Sequence, residues 1–214
     1  MVKKYVLFDF DGTVFDTAEG ITKCVQYALS KMGIKSELDE LMCFAGPPLA
    51  EMFALKYGMS EEEAKKATGY YRERYAPIGW AECRPFEGMH EMLLKLKAAG
   101  KTLAVATSKP EHLAVKILGE YGMTEDFDLI CGATLDGSRS KKWEVIEYAL
   151  GKLGISAAQA IMVGDRKYDV IGAKKCGLDC VGVRFGYAEA GELEEYGAVY
   201  IAETPDDLYE YLMK

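Results

Sequence analysis

The sequence is poor in the residues on which many catalytic schemes depend. Only two histidines occur in 214 residues, His90 and His112, and both fall in segments with helical apolar spacing, so each reads as a helix-surface residue and imidazole catalysis is poorly supplied. The six cysteines (Cys24, Cys43, Cys83, Cys131, Cys176, Cys180) include no CxxC pair, which argues against a zinc site or disulfide frame and for reduced, structural thiols. Cys176 and Cys180 are separated by a glycine and an aspartate among other residues and read as a helix end. Positive charge is also short, with 26 Lys and Arg against 34 Asp and Glu and a formal net charge of −8. The long-range field therefore repels polyanions, and neither nucleic acid nor an anionic membrane is expected as a partner. No apolar run is long enough to span a bilayer, and Met-Val-Lys-Lys leads straight into a strand pattern, so a cytoplasmic protein is expected.

What is present suits a sizeable α/β core. Half of the residues are apolar, enough to bury a single large domain or a domain carrying an insert. Short apolar runs recur at 5–10, 103–107, 127–131, 160–163 and 180–185, with a further short run at 199–202, and most are followed by a loop and a helical pattern. That alternation predicts a doubly wound parallel sheet. Ser108, Pro110 and Glu111 predict an N-cap and capping box for the helix that ends near Gly122. Between Asp16 and about Ala81 the strand signal gives way to helical patterns over 18–32, 48–57 and 61–75, with a capping box at Ser60 and Glu63 and glycines at 33, 58 and 79 near the ends. The expected organisation is a core of 1–16 and 82–214 with a small all-helical insert at 17–81, standing over the sheet's C-terminal edge as a lid.

The chemistry concentrates at strand ends. In FDFDGTVFD, Asp9 and Asp11 lie two apart, so their carboxylates point to one side while Phe8 and Phe10 point into packed structure. Two unit charges about 4 Å apart at an effective dielectric near 20 repel by about 4 kcal/mol; a hard cation such as magnesium, which takes carboxylate, carbonyl, phosphate and water oxygens, removes the objection. Gly12 and Thr13 would turn the chain so that backbone amides face phosphate oxygens. The alternative is a plain polar turn after an edge strand.

Three further segments weigh against that alternative. AVATSKP sets Thr107 and Ser108 at a strand tip, where a hydroxyl and a helix N-terminus can hold a phosphoryl oxygen. RSKKWEVIEYAL places Lys141 and Lys142 at a helix start, where the dipole disfavours cations unless they neutralise an anion. IMVGDRKYD puts Asp165 after a buried strand and Asp169 four residues on, able to reach the same metal from the opposite side.

With these four segments in order, the chain resembles the haloacid dehalogenase superfamily of phosphotransferases from Val2 to Ala202: DFDGTVFD matches the first motif, ATS the second, the lysine pair the third and GDRKYD the fourth. The helical insert resembles the small cap of its phosphoglycolate phosphatase-like members. The resemblance implies a Rossmann-like core and a phosphomonoesterase in which Asp9 is the nucleophile and Asp11 the general acid and later base. Thr107 would bind the phosphoryl group and a lysine, Lys142 in preference to Lys141, would steady the charge. Mg²⁺ would be held by Asp9, the Asp11 backbone carbonyl and Asp165, with Asp169 bound directly or through water. Members with this cap often carry Lys-Pro in the third motif, whereas this chain has Lys141-Lys142-Trp143.

The implied substrate is a small phosphorylated molecule, with phosphoglycolate first, then nucleoside monophosphates as for a 5'-nucleotidase, then pyrophosphate or sugar phosphates. A phosphomutase shares the motifs; a receiver-like signalling domain lacks the insert and the DxD spacing; a metal-free dehalogenase needs only one aspartate. In the insert, Gly46 and Pro47 would meet the leaving group, and Lys56, Arg72 and Arg74 are candidates for a second anionic group. A monomer and a homodimer are both compatible with the sequence.

Overall fold

The computed structural model describes residues 3–214; Met1 and Val2, where the expected core segment begins, lie outside the described residues. The first apolar run forms β1 (Tyr5–Phe8), and the chain then turns at once, because the Phe10 carbonyl accepts the amides of Thr13, Val14 and Phe15. Strand β2 (Phe15–Asp16) leads into the helical segment α1 (Ala18–Lys31), α2 (Leu49–Tyr57) and α3 (Glu61–Tyr75), and β3 (Arg84–Pro85) pairs with β2 on the return. There follow α4 (Met89–Ala98), β4 (Thr102–Pro110), α5 (Glu111–Glu120), β5 (Leu129–Ala133), α6 (Lys142–Leu153), β6 (Ala160–Gly164), α7 (Lys167–Lys175), β7 (Asp179–Val183), α8 (Glu192–Tyr196), β8 (Tyr200–Ala202) and α9 (Pro205–Leu212).

Six strands make one sheet in the order β5-β4-β1-β6-β7-β8, parallel throughout. Parallel strands need both faces covered, and the alternation in β1 shows how. Leu7 joins a buried cluster with Val145, Ile146, Val170 and Ala173 of α6 and α7, while Val6 and Phe8 are buried on the opposite face, Phe8 edge-on to Phe127. From β1 the order runs through β4 to β5 on one side and β6 to β8 on the other. That reversal is where an open sheet of this kind leaves a crevice at its C-terminal ends.

The strands reproduce the expected runs with shifted ends, and one shift matters for the site. Strand β4 continues to Pro110 through an irregularity: Ala106 pairs with Cys131 and Pro110 with Ala133, so residues 107–109 stand opposite Gly132 alone. Such a bulge bends the strand and re-aims side chains. As a result Ser108 is not the N-cap of α5; Pro110 holds that position without a side-chain cap, and Glu111 accepts the Gly132 amide and pairs with Arg139 instead.

The chain divides into Met1–Phe15 with Pro85–Lys214, and Asp16–Arg84. The second unit is helical, with α1 against α3 and the 3₁₀ segment Leu38–Phe44. Its boundary takes in residues 82–84, because Glu82 is tied to Arg74 of α3 at 2.7 Å and to Lys23 of α1 at 3.3 Å. The Ser60 and Glu63 capping box forms at the start of α3.

Candidate active site

Three neighbouring strands position the site: Asp9 and Asp165 directly follow β1 and β6, and Thr107 opens the bulge in the C-terminal part of β4. Asp9 continues the β1 ladder, its amide donating to Val163 O at 2.8 Å, and its Oδ1 accepts the Phe10 amide at 2.7 Å. Lys142, the first residue of α6, reaches between strands: its Nζ lies 2.6 Å from Asp9 Oδ1 and 2.9 Å from Asp169 Oδ1, and donates to Ala106 O at 3.2 Å. Asp169, in the first turn of α7, accepts the Arg166 amide on Oδ2, so it caps its helix and faces the lysine at once. Asp165 accepts the Thr13 hydroxyl at 3.1 Å and the Tyr187 amide at 2.8 Å.

Glycines let these groups approach. A Cβ on Gly12, which also has φ +79°, would sit 2.1 Å from Asp165 Oδ2, and one on Gly164 would sit 2.2 Å from Asp169 Cγ.

The electrostatics leave a positive charge wanting. Asp9, Asp165 and Asp169 are all buried and offer carboxylate oxygens within 4.8 Å of one another. Burial, reinforced by the Asp169 charge, holds the Asp9 carboxyl above the usual aspartate range despite Lys142 and Thr107. Burial and then the charges of Asp169 and Asp9 raise Asp165 well above it, against the pull of the Tyr187 amide and Arg166. Burial alone would lower the Lys142 ammonium, but the charges of Asp169 and Asp9 outweigh it and raise its proton affinity. Asp169 is buried, and its Oδ1 has only the Lys142 ammonium, at 2.9 Å, to answer its charge. Lys109 is taken up by Asp11, so the three clustered carboxylates face one ammonium group, Lys142. The deficit is that of one divalent cation, and oxygen donors of this kind are what magnesium takes, so the residues fit a metal of that class.

The geometry separates the expected site residues into groups. Asp9, Asp165, Asp169, Thr107 and Lys142 are brought together. Between the two lysines, Lys142 reaches the carboxylates, while Lys141 stands at the helix start with its amide on the Glu144 side chain. Asp11 adds no side-chain oxygen to the three-aspartate cluster; its Oδ1 pairs with Lys109 Nζ at 2.8 Å. The anion-binding turn expected at Gly12 and Thr13 does not form: Gly12 N donates to Phe15 O and Thr13 N to Phe10 O, so the turn closes on itself, and Thr13 serves Asp165 through its hydroxyl. Ser108 is half-buried in the β4 bulge.

In the helical unit, Gly46 and Pro47 form the turn between the 3₁₀ segment and α2, Gly46 with φ +104°. Arg74 is spent on Glu82, with bonds of 2.7 and 3.0 Å, and on Cys24, and Lys56 donates to Glu40 O. Arg74 is thus not an open anion receptor, whereas Lys56 and Arg72 stand exposed.

Sequence reasoning missed Lys109 and the support of Asp165. Lys109 directly follows the Thr-Ser pair, and a cation at a strand tip facing two acids was the available signal. Arg166, whose guanidinium pairs with Glu192 at 2.9 Å, and the Tyr187 amide gave none, because both partnerships cross more than twenty residues of chain.

A model of the haloacid dehalogenase-like hydrolases matches residues 6–183. A 5'-nucleotidase of Pseudomonas aeruginosa is 42% identical over 192 residues, covering 89% of this chain and 87% of that protein. The tyrosine-protein kinase PtkA of Mycobacterium tuberculosis is 40% identical over 211 residues, 97% of this chain and 72% of the other. Among solved structures, one from Clostridium acetobutylicum, described as a predicted phosphatase, superposes with a TM-score of 0.96 at 43% identity, covering 100% of this chain and 99% of that one. The sheet order, the strand-end carboxylates and these matches agree: the chain belongs to the family of haloacid dehalogenase-like hydrolases and stands among its phosphatases.

Proposed function

We propose that the protein hydrolyses the phosphate monoester of a small soluble molecule through a phospho-aspartate at Asp9, with Mg²⁺ as cofactor. The observation that carries this reading is the buried Asp9, Asp165 and Asp169 cluster clamped by Lys142. Asp9 Oδ1 is fixed by Lys142 and the Phe10 amide, leaving its other oxygen to attack phosphorus while the ester oxygen departs in line. Asp11 gives that oxygen its proton, then takes one from the water that attacks the phosphoenzyme. In this reading Thr107 and Lys142 meet the phosphoryl oxygens as they gain charge, so positioning and charge neutralisation do most of the work. When bound, the magnesium ion supplies Lewis-acid neutralisation of phosphoryl charge, held by Asp9 and Asp165 with Asp169 directly or through water.

For the substrate, nucleoside monophosphates lead. The support is the 5'-nucleotidase relative, together with the engagement of Arg74 by Glu82, which removes one of the three candidate receptors for a glycolate carboxylate. Phosphoglycolate, pyrophosphate and sugar phosphates follow. The mycobacterial kinase relative sets phosphoryl transfer to tyrosine as the competing reading.

The test is phosphate release from a panel of these esters, with Mg²⁺ or EDTA, for the native chain and Asp9→Asn. Release that requires Mg²⁺ and is lost in Asp9→Asn is expected. Transfer from a nucleotide to tyrosine, with no free phosphate from any ester, would replace the hydrolase reading.

A further inference from the structure

Lys109 is buried, its side chain 4% exposed, and such an ammonium needs both a partner and a reason. The β4 bulge supplies the placement. Residues 107–109 stand opposite Gly132 alone, and a Cβ there would lie 2.6 Å from Lys109 O and from the Glu111 backbone, so the bulge closes only over a glycine. The Thr107 hydroxyl accepts the Lys109 amide at 3.1 Å, tying the lysine to the proposed phosphoryl-binding residue. Its Nζ then lies 2.8 Å from Asp11 Oδ1 and 5.6 Å from the centre of the Phe10 ring, and Phe10 is itself stacked on Phe15 at 4.7 Å. The ammonium is thus held from two sides in one place.

We infer that Lys109 is the positioning residue for proton transfer: by donating to Asp11 Oδ1 it leaves Oδ2 as the oxygen that carries the proton to the leaving group. An ammonium cannot accept a hydrogen bond, so a proton on Oδ1 would confront a donor, and Oδ2 is the oxygen open to one. In the first step the Asp9 oxygen bonds to phosphorus, the ester P–O bond breaks, and the Oδ2 proton goes to the departing oxygen. In the second, water bonds to phosphorus, the bond from phosphorus to Asp9 breaks, and Asp11 Oδ2 takes the water proton, so the starting state returns. The inference rests on the phosphatase reading above.

Leaving groups of different basicity separate the two. An alkyl phosphate expels a strongly basic oxygen that needs the proton; p-nitrophenyl phosphate expels one that hardly does. General-acid catalysis contributes about 100-fold or more. In Lys109→Met the loss of kcat/KM should therefore exceed that for p-nitrophenyl phosphate by at least about tenfold when an alkyl phosphate is the substrate, and the dependence on leaving-group pKa should steepen. Lys109→Arg, which keeps a cationic donor, should restore most of the native dependence, and melting temperatures of both variants show whether they are folded. Equal losses across leaving groups in a folded Lys109→Met, or a Lys109→Arg no better than Met, would overturn the inference while leaving the phosphatase reading intact. A native chain that hydrolyses neither ester, or an Asp9→Asn as active as the native chain, would overturn both.

Discussion

Asp165 is buried beside two other acids, and its proton affinity in the folded chain stands well above the unfolded value of 3.8. Between that value and the raised one, the folded state binds more protons than the unfolded state. Stability without metal therefore falls as pH rises through this window, and a bound divalent cation reverses the loss. Asp165→Asn should flatten the pH dependence and raise the melting temperature of the EDTA-treated protein at pH 7 by about 2–4 °C, the shift expected for about 1 kcal/mol in a chain of this size. The amide can be accommodated, since its oxygen still accepts the Tyr187 N–H and the Thr13 hydroxyl can rotate to accept from its nitrogen. Mg²⁺, which should raise the melting point of the native chain, should do nothing for the variant; melting curves with EDTA and with Mg²⁺ check both points.

Gly12→Ala is the opposite kind of change. It meets a positive φ and an oxygen 2.1 Å away, and should cost about 1–3 kcal/mol and most of the activity, measured by urea unfolding and phosphate release. The meeting of Asp9, Asp165, Asp169 and Lys142 has a local signal, because Asp9 and Asp165 follow strands and Lys142 and Asp169 lie in the first turns of helices. The role of the Gly12 and Thr13 amides has none, because it depends on which carbonyls the turn closes upon.

Elements tell a similar story. The parallel strands were legible from their apolar runs, yet the first ends at Phe8 because the Phe10 carbonyl gathers three amides, and β4 overruns Ser108 because Gly132 lets a bulge form. Both are pairings across a turn or a sheet that local periodicity does not encode. The junction of α7 with α8 is another. Arg166 and Glu192 have side chains 8% and 6% exposed, and Glu192 also accepts the Lys167 amide at 2.7 Å. A buried pair is worth little against well-packed apolar residues but costs much when half of it is removed. Glu192→Ala should destabilise by about 3–5 kcal/mol, and Arg166→Met with Glu192→Leu should recover most of the loss. Urea denaturation of the single and double variants reads this directly.

At the scale of the molecule, strand signal is lost and returns along the sequence, whereas the return boundary of the helical unit depends on the long-range ties of Glu82 to Arg74 and Lys23. The formal charge of −8 bears on how an anionic substrate arrives. Locally, the Asp9, Asp165 and Asp169 carboxylates, Lys142 and a divalent ion would balance, leaving the Lys109 ammonium beside protonated Asp11, so the field at a distance is mainly that of an acidic protein. Salt screens this repulsion beyond about 10 Å at 0.1 M. With Mg²⁺ saturating, kcat/KM for a dianionic phosphate ester should therefore rise by about twofold as NaCl goes from about 10 to about 150 mM, the direction opposite to that of an enzyme steering its substrate with surface lysines. Since screening acts on approach, a neutral competitive inhibitor should bind equally at both salt concentrations. A fall in kcat/KM with salt would mean that cationic surface groups gather the substrate and that the net charge is not what it meets first.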